Sequence, residues 1–319
     1  LRTIASTTGS TFTSFSDDVV INSSGVVGFR ATLSTARRAS GIFTSNGIAT
    51  STIVDSTNAL LGVSAFGIGP PSINASGTVA FEALRSNLRS GLIFTGNGGA
   101  LTPVLDTLSS NFGSFGAVAI NDSGAIVFNG TLKDRNQGVF RLTPNTDENG
   151  KAQAPTSFTL IDIVDTNNPD FFQFGDPVIN NAGTVADDAG GPARVEIFTG
   201  NGSGITDRTD PSSGSFAEFE HPSINNRGAV AFSVIEASGA QGIFVELTGG
   251  SSPVAVLQSG DALFGSTVTA VSVGRFGFND HFRLAFEYEL ADGRSGIAVA
   301  LLHSDDADGD DPEQSDSAK

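Results

Sequence analysis

Apolar residues recur along this chain in short runs that alternate with polar turns, and no stretch has the periodicity of an amphipathic helix. Six runs share one phrase, with departures in the fourth and sixth copies: an apolar residue, Asn, Gly three positions later, and Phe four positions after the Gly. The Asn residues of the six copies are Asn22, Asn74, Asn121, Asn180, Asn225 and Asn279. They lie 45 to 59 residues apart, which is the signature of a repeat protein.

Each repeat predicts four short strands. Asn tolerates left-handed backbone and Gly adopts it freely, so Asn-x-x-Gly between two apolar runs predicts a hairpin turn that joins strand 1 to strand 2. A second apolar phrase, such as Gly41–Phe43, predicts strand 3, and a third, such as Ile53–Asp55, predicts strand 4. Four antiparallel strands per repeat are typical of propeller blades.

The sequence therefore predicts an all-β fold, a six-bladed β-propeller with four antiparallel strands per blade. A β-sandwich array or a β-helix is the alternative. The sixth repeat lacks a strand-4 phrase, whereas residues 1–8 resemble strand 4 of the other repeats, so we expect an N-terminal strand to close the last blade. The predicted domains are the propeller at residues 1–303 and an acidic C-terminal tail at residues 304–319.

Composition and charge narrow the possible partners. With 39% hydrophobic and 16% charged residues, the chain has enough apolar material for a large core. A net charge of −17 disfavours nucleic acid and anionic membranes as partners. The absence of Cys excludes disulfides and thiolate metal sites, and no apolar run is long enough to span a membrane. Because Met is absent even at position 1, we expect a processed chain located outside the cell or at its surface.

The repeated phrase INxxGxVAFxA, the GIF phrase and the LQSGD segment at Leu257–Asp261 resemble a class of secreted bacterial NxxGxxF tandem-repeat proteins. The resemblance covers roughly residues 1–302 and implies a propeller of undetermined activity.

Seven arginines fall in the predicted loops between strands 2 and 3 or close to them, on a face where propellers often bind ligands. They are Arg37, Arg38, Arg85, Arg89, Arg135, Arg194 and Arg294. Planar guanidinium groups suit carboxylate and sulfate, so these residues are the candidate ligand-binding set, for an acidic polysaccharide or an acidic protein segment. The alternative is scattered, solvated charge.

The fourth repeat departs from the pattern, because Asp187 stands where the other five copies have Phe. An unpaired carboxylate buried in that place is costly. Asp187 either pairs with Arg194, binds a cation, or marks an exposed, irregular blade, and we favour the last. The Asp residues that end strand 4 are expected to cap the turns that follow rather than bind calcium. They are Asp55, Asp106, Asp165 and Asp207.

Candidate chemistry is otherwise sparse, and we assign no catalytic residue. His221, His281 and His303 show no catalytic or metal-binding spacing, and Tyr288 stands out only as the single Tyr. The acidic tail resembles a calcium loop only in part. Its candidate ligands are Asp306, Asp308 and Asp310. No other cofactor is expected.

Two hypotheses about function follow. The first is a non-catalytic extracellular module that binds a partner or assembles with itself, with the acidic tail of one copy docking on the Arg residues of another. The second is a carbohydrate-active enzyme, a polysaccharide lyase or a glycoside hydrolase. It requires Asp187, Asp188, His221 and Tyr288 to converge in one pocket.

Overall fold

A computed structural model of the chain describes residues 2–8, 11–34, 39–56, 63–85, 90–149, 157–192, 195–209, 216–247 and 252–302. Every regular element in these ranges is a β-strand, and the strands form six antiparallel sheets of four or five strands. The sheets are the blades of a propeller, so the predicted fold class is confirmed. No helix in the described ranges could cross a membrane. The predicted acidic tail lies outside the described residues.

The strands follow one another around the ring, with the innermost strand of each blade first. Blade 1 contains β1 (Phe12–Ile21), β2 (Val27–Leu33), β3 (Ser40–Ser45) and β4 (Thr50–Asp55). Blade 2 contains β5 (Val63–Ile68), β6 (Ser72–Ile73), β7 (Val79–Arg85), β8 (Gly91–Gly96) and β9 (Thr102–Asp106). Blade 3 contains β10 (Phe112–Ile120), β11 (Ile126–Leu132), β12 (Gln137–Pro144) and β13 (Phe158–Asp165).

The second half of the ring has the same plan with one change at its end. Blade 4 contains β14 (Gln173–Phe174), β15 (Val178–Ile179), β16 (Val185–Gly190), β17 (Val195–Gly200) and β18 (Ile205–Asp207). Blade 5 contains β19 (Phe216–Ile224), β20 (Val230–Glu236), β21 (Gln241–Glu246) and β22 (Val254–Gln258). Blade 6 contains β23 (Ala262–Leu263), β24 (Ser266–Phe278), β25 (Arg283–Leu290) and β26 (Ser295–Leu301). Strands 1 to 3 of this blade are β24, β25 and β26, and its fourth strand, β23, comes before strand 1 instead of after strand 3.

The repeated Asn holds its own turn through its side chain. In blade 3, Asn121 Oδ1 accepts the backbone N–H groups of Ser123 (3.1 Å) and Ala125 (2.9 Å). The left-handed residue of the turn is the Gly, with φ of 79° at Gly124, and in the sixth copy it is Phe282 with φ of 53°. The predicted hairpin is thus present, although the Asn itself is not left-handed.

The same Asn side chains also tie neighbouring blades together. The Nδ2 of each donates to the backbone carbonyl of the next Asn along the ring, over distances of 2.9 to 3.3 Å. The donors are Asn22, Asn74, Asn121, Asn180 and Asn225. Each buried amide therefore satisfies a turn and a blade-to-blade contact at once.

Five blade-to-blade interfaces are packed in one manner. The face of a blade that carries the strand-3 Ile or Val lies against the face of the next blade that carries the repeat Phe, as Ile42 does against Phe81 and Phe94. The strand-3 residues of these interfaces are all 0% exposed: Ile42, Ile93, Val139, Ile197 and Ile243. Burial of these apolar faces is the main stabilisation of the ring.

The sixth interface, between blades 6 and 1, is not packed. Ile297 of β26 is equivalent to the five buried residues but is 76% exposed, and Val299 and Leu301 are exposed beside it. Asn279 is exposed as well, and it makes no bond to the carbonyl of Asn22 among the described residues. We call the gap between β25–β26 and blade 1 the seam.

The predicted closing strand is not part of the sixth sheet. Within residues 2–8 no strand is formed, and β26 pairs only with β25 in the part of the chain that the structure describes. Ile4 and Ala5 pack instead on the Phe face of blade 1, and Ser45 Oγ donates to the carbonyl of Ile4 at 3.1 Å. The segment gains its burial from blade 1, while blade 6 stands apart across the seam.

Candidate functional site

A belt of polar side chains surrounds the central channel. The residue after the repeat Phe position is polar in every copy. In blades 1 to 4 it faces a bulge or break in the innermost strand, and in blades 5 and 6 it pairs in register next to the bulge. We call these six residues the polar belt: Arg30, Glu82, Asn129, Asp188, Ser233 and Glu287. Each of these residues is the cross-strand partner of the strand-3 Ile or Val, so it lies on the blade face that looks toward the next blade.

Members of the polar belt contact the inner strand of the next blade. Arg30 Nη1 donates to the carbonyl of Ile68 at 2.7 Å, and Asn129 Nδ2 donates to the carbonyl of Gly175 at 2.7 Å. Ser233 Oγ accepts the backbone N–H of Val273 at 2.8 Å. These contacts replace sheet hydrogen bonds that the bulges interrupt, so much of the belt is structural.

Two carboxyl groups of the belt have raised pKa values. Burial raises the pKa of Glu82 from its ordinary 4.5 to about 7, against the opposing effect of Arg30. Burial also raises the pKa of Asp188 to about 6, with His221 acting in the opposite direction. Glu82 Oε2 is buried without a hydrogen-bond partner among the described residues, which is consistent with a group that keeps its proton.

Asp187 is buried, contrary to the exposed position that we favoured. It is 0% exposed, and burial together with the neighbouring Asp188 raises its pKa well above the ordinary value. One oxygen accepts the N–H of Asp188 at 2.9 Å, whereas Oδ2 has no partner among the described residues. Burial of the carboxyl group in the Phe position therefore favours its neutral form.

A mixed-charge cluster lies at the channel between blades 4, 5 and 6. His221 Nε2 is 3.6 Å from Asp176 Oδ2, and His221 Nδ1 is 3.9 Å from Asp188 Oδ1. Arg275 Nη2 donates to the carbonyl of Pro177 at 2.6 Å, and burial lowers the pKa of this guanidinium while Asp176 and Asp187 oppose the shift. The cluster therefore places His221 and Arg275 close to the carboxyl groups of Asp176, Asp187 and Asp188.

A cavity of about 420 Å³ opens where the channel meets the seam. Its lining includes the charged or ionisable residues Asp17, Asp18, Asp176, His221, Arg275 and Glu287. It also includes the apolar residues Val19, Ile21, Phe276 and Ile297. Asp18 is paired with Arg30 at 2.9 Å, whereas Asp17 and Glu287 are exposed and form no ion pair with described residues.

Three of the predicted ligand-binding arginines lie in the described part of the chain, and each is in a different blade. Arg85 makes two hydrogen bonds to Asp106, at 2.8 and 2.7 Å, and Arg294 pairs with Asp292 at 2.7 Å. Arg135 is exposed, with φ of 80°. Two of the three charges are thus neutralised locally, and anion binding at these residues stays a prediction.

Other predicted positions lie outside the described residues. These are Arg37, Arg38, Arg89 and Arg194, together with Asp306, Asp308 and Asp310. No group of three or more His, Asp or Glu residues arranged to hold a metal ion occurs within the described ranges. Calcium binding by the tail stays a prediction.

The predicted turn caps are confirmed at two positions. Asp106 Oδ1 accepts the N–H of Leu108, and Asp165 Oδ1 accepts the N–H of Asn167, both at 2.9 Å.

The four residues that the enzyme hypothesis requires do not converge. Asp188 and His221 are neighbours, and Asp187 is buried behind them. Tyr288 lines a different cavity with Glu220 and Glu289, and its ring packs on Phe264 at 5.4 Å. The polar belt, which sequence analysis missed, had a visible signal: a polar residue after the Phe within an otherwise apolar strand.

Comparison with known proteins identifies the family. Residues 2–190, more than half of the chain, match the model of a family of unknown function, DUF7453. The chain belongs to this family. No curated protein matches the chain in sequence. Membership in DUF7453 carries no assigned activity, so the site has to be interpreted from its geometry.

Solved structures share the fold at low identity. Prolyl oligopeptidase B from Galerina marginata, bound to a 35mer substrate, matches with a TM-score of 0.57 and 11% identity over 90% of this chain and 39% of that one. An oligogalacturonate lyase in complex with manganese matches with a TM-score of 0.52 and 10% identity over 85% and 73% of the chains. The chain spans about two fifths of the length of the prolyl oligopeptidases it matches. At these identities the likeness shows the propeller fold alone.

Proposed function

We propose that this propeller is a non-catalytic binding module whose ligand occupies the cavity between blades 1 and 6. The observation that carries the proposal is the cavity itself, whose lining combines charged and apolar residues. Its volume of about 420 Å³ falls within the usual range of small-molecule sites. The separation of Tyr288 from His221 and Asp188 supports binding over the catalytic alternative.

The charges of the cavity favour a ligand with a cationic group next to an apolar part. Asp18 is paired with Arg30, and Arg275 lies close enough to Asp176 to attract its charge. Asp17 and Glu287 are left as the excess acidic groups at the mouth. An ammonium or guanidinium group gains charge-assisted hydrogen bonds there, while the apolar part of the ligand covers Ile297 and Val19.

The test uses two matched probes, 4-fluorophenethylamine and 4-fluorophenylacetate, followed by ¹⁹F NMR. We expect the amine to bind and the carboxylate not to bind. Glu287→Gln lowers the affinity for the amine by about threefold to tenfold, since one charge-assisted contact of about 1 kcal/mol is lost. High salt weakens binding as well, because the charges are near solvent.

The control is Glu218→Gln, which removes an exposed carboxylate of β19 that does not line the cavity. It leaves the affinity for the amine unchanged. Equal binding of both probes, or equal weakening by Glu218→Gln and Glu287→Gln, would contradict the proposal.

The catalytic alternative is a carbohydrate-active enzyme, as the oligogalacturonate lyase of similar fold is by name. Incubation with polygalacturonate, with detection of new reducing or unsaturated ends, distinguishes the two. Turnover that is lost in Tyr288→Phe or His221→Ala would replace the binding proposal by the enzyme.

Placement outside the cell, an acidic partner for the arginines, and assembly through residues 304–319 stay predictions. Sedimentation of the full chain and of a chain ending at residue 303, at low and high salt, tests the assembly. Assembly through the tail predicts particles that shrink in both high salt and the shortened chain, and unchanged sizes would refute it.

A further inference from the structure

Blade 6 has a vacant strand position. In the other five blades strand 3 pairs on its outer side with strand 4, whereas β26 has no outer partner among the described residues. Unpaired N–H and C=O groups along an apolar strand are a template for another strand. The row of exposed residues on β26 is Ile297, Val299 and Leu301.

The sequence of residues 3–6 matches strand 4 position by position. Thr3-Ile4-Ala5-Ser6 aligns with Thr52-Ile53-Val54-Asp55 of β4: a Thr, two apolar residues, and a polar residue able to cap the turn that follows. The match extends to packing. Strand-4 residue Ile53 lies on the Phe face of blade 2, and Ile4 lies on the Phe face of blade 1.

A second contact fixes the same alignment independently. The left-handed Gly in the turn between strands 3 and 4 contacts strand 4 of the preceding blade, two positions before the first buried apolar residue of that strand. Gly98 lies beneath Ser51 in this way, and Gly202 lies beneath Ile161. Gly47 of blade 1 contacts Arg2 in the same way, since a Cβ on the Gly would meet Arg2 Nε at 2.6 Å. Arg2 stands two positions before Ile4, as Ser51 stands two positions before Ile53. Residues 2–6 therefore lie where strand 4 of a sixth blade belongs, but without its hydrogen bonds.

We propose that β26 is a strand-accepting edge whose partner is the segment at residues 3–6 of the same chain, and that the seam is a gate that closes when they pair. The register follows from β3 and β4, where Gly41 faces Asp55, Ile42 faces Val54 and Phe43 faces Thr52. The equivalent pairs are Gly296 with Ser6, Ile297 with Ala5, and Ala298 with Thr3.

Closing the gate changes both the core and the cavity. Ile297 moves from solvent onto the Phe face of blade 1, as its five equivalents already do on theirs. Asn279 comes within reach of the carbonyl of Asn22 and completes the ring of side-chain bonds. The seam side of the cavity is then covered, so the gate controls access of the ligand, a consequence that rests on the proposed function.

Disulfide trapping tests the register in a chain that has no Cys of its own. The double variant Ala5→Cys with Ile297→Cys places two thiols within the 4.4–6.8 Å between Cα atoms that a disulfide needs, if the gate closes as proposed. Under mild oxidation we expect a monomeric, cross-linked product in more than about half of the molecules, seen on non-reducing gels. Reduced single variants should melt as the parent does.

The control is Ala5→Cys with Leu301→Cys, which is out of register by about 13 Å along the strand. It should cross-link at least tenfold more slowly. Equal rates for the two pairs, or no cross-link in either, would overturn the gate. Cross-links formed only between two chains would overturn it in favour of exchange of the segment between copies.

The same variants separate the gate from the proposed function. Cross-linking is measured without ligand, so its result tests the gate independently of the binding proposal. If the amine binds, the cross-linked protein should take up 4-fluorophenethylamine at least about tenfold more slowly than its reduced form. If the disulfide forms and the amine binds neither form, the binding proposal fails and the gate remains.

Discussion

The interface between blades 5 and 6 and the seam between blades 6 and 1 present the same side-chain types at equivalent positions, yet only the first is packed. Ile243 and Ile297 occupy one position of the repeat, and so do Asn225 and Asn279. In the packed interface both are buried, and at the seam both are exposed. The difference teaches that the repeat supplies matching faces, whereas closure of the ring is a separate step.

That step is separate because of chain connectivity. Between consecutive blades, strand 4 leads directly into the next inner strand, so the two faces meet at little loop-closure cost. Between blades 6 and 1 no such linker exists in the described chain, and the faces must find each other across the whole ring. Equivalent substitutions at the interface between blades 5 and 6 and at the seam therefore measure the fraction of molecules in which the ring is closed.

The largest difference is expected for the strand-3 Ile. Ile243→Ala leaves a void in a fully buried interface and should lower the free energy of unfolding by about 3 kcal/mol. Ile297→Ala removes an exposed side chain and should cost less than about 0.5 kcal/mol. Chemical denaturation followed by circular dichroism measures both. A cost at Ile297 equal to that at Ile243 would mean that the ring is closed in most molecules.

A smaller difference is expected for the Asn of the turn. Asn121→Asp keeps the acceptor for Ser123 and Ala125 but removes the donor to the carbonyl of Asn180, which then keeps only the N–H of Gly183. We expect a loss of about 1 kcal/mol for the missing blade-to-blade hydrogen bond. Asn279→Asp removes no blade-to-blade bond and should be nearly neutral. Thermal melting of the pair is the check, and similar shifts for the two variants would refute a role in joining blades.

The smallest difference concerns the polar belt and depends on pH. The pKa of Glu82 is raised to about 7, so the folded chain keeps a proton that the unfolded chain releases above about 4.5. The contribution of Glu82 to the free energy of unfolding therefore falls as pH rises from about 4.5 to 7.

Glu82→Gln removes the free-energy cost of ionising this buried carboxyl group at high pH. It should stabilise the protein by about 1 kcal/mol at pH 8 and change little at pH 4. Glu287→Gln, at the equivalent but exposed position in blade 6, should have little effect at either pH. Denaturant titrations at the two pH values test this, and a stabilisation by Glu82→Gln that is equal at both would contradict it.

The comparison also shows what the sequence did not reveal about individual candidate residues. Asp187 was interpreted as a mark of irregular structure, but its strand pairs in register and buries the carboxyl group. Arg85 was placed in the candidate ligand-binding set, and the structure adds that it pairs with Asp106 at the end of strand 4. Pairing of such groups depends on which residues the fold brings within a few ångströms, and single-repeat patterns do not contain that information.

The sequence by itself determined the blade. The spacing of Asn, Gly and Phe within each repeat sets a local turn and two apolar strand faces, and local interactions of this kind depend on neighbouring residues only. Tertiary structure decided the rest: which side chains of the polar belt meet the next blade, that Asp187 is buried, and that blades 6 and 1 stand apart. These are contacts between residues far apart in the chain, where burial, charge and chain connectivity act together.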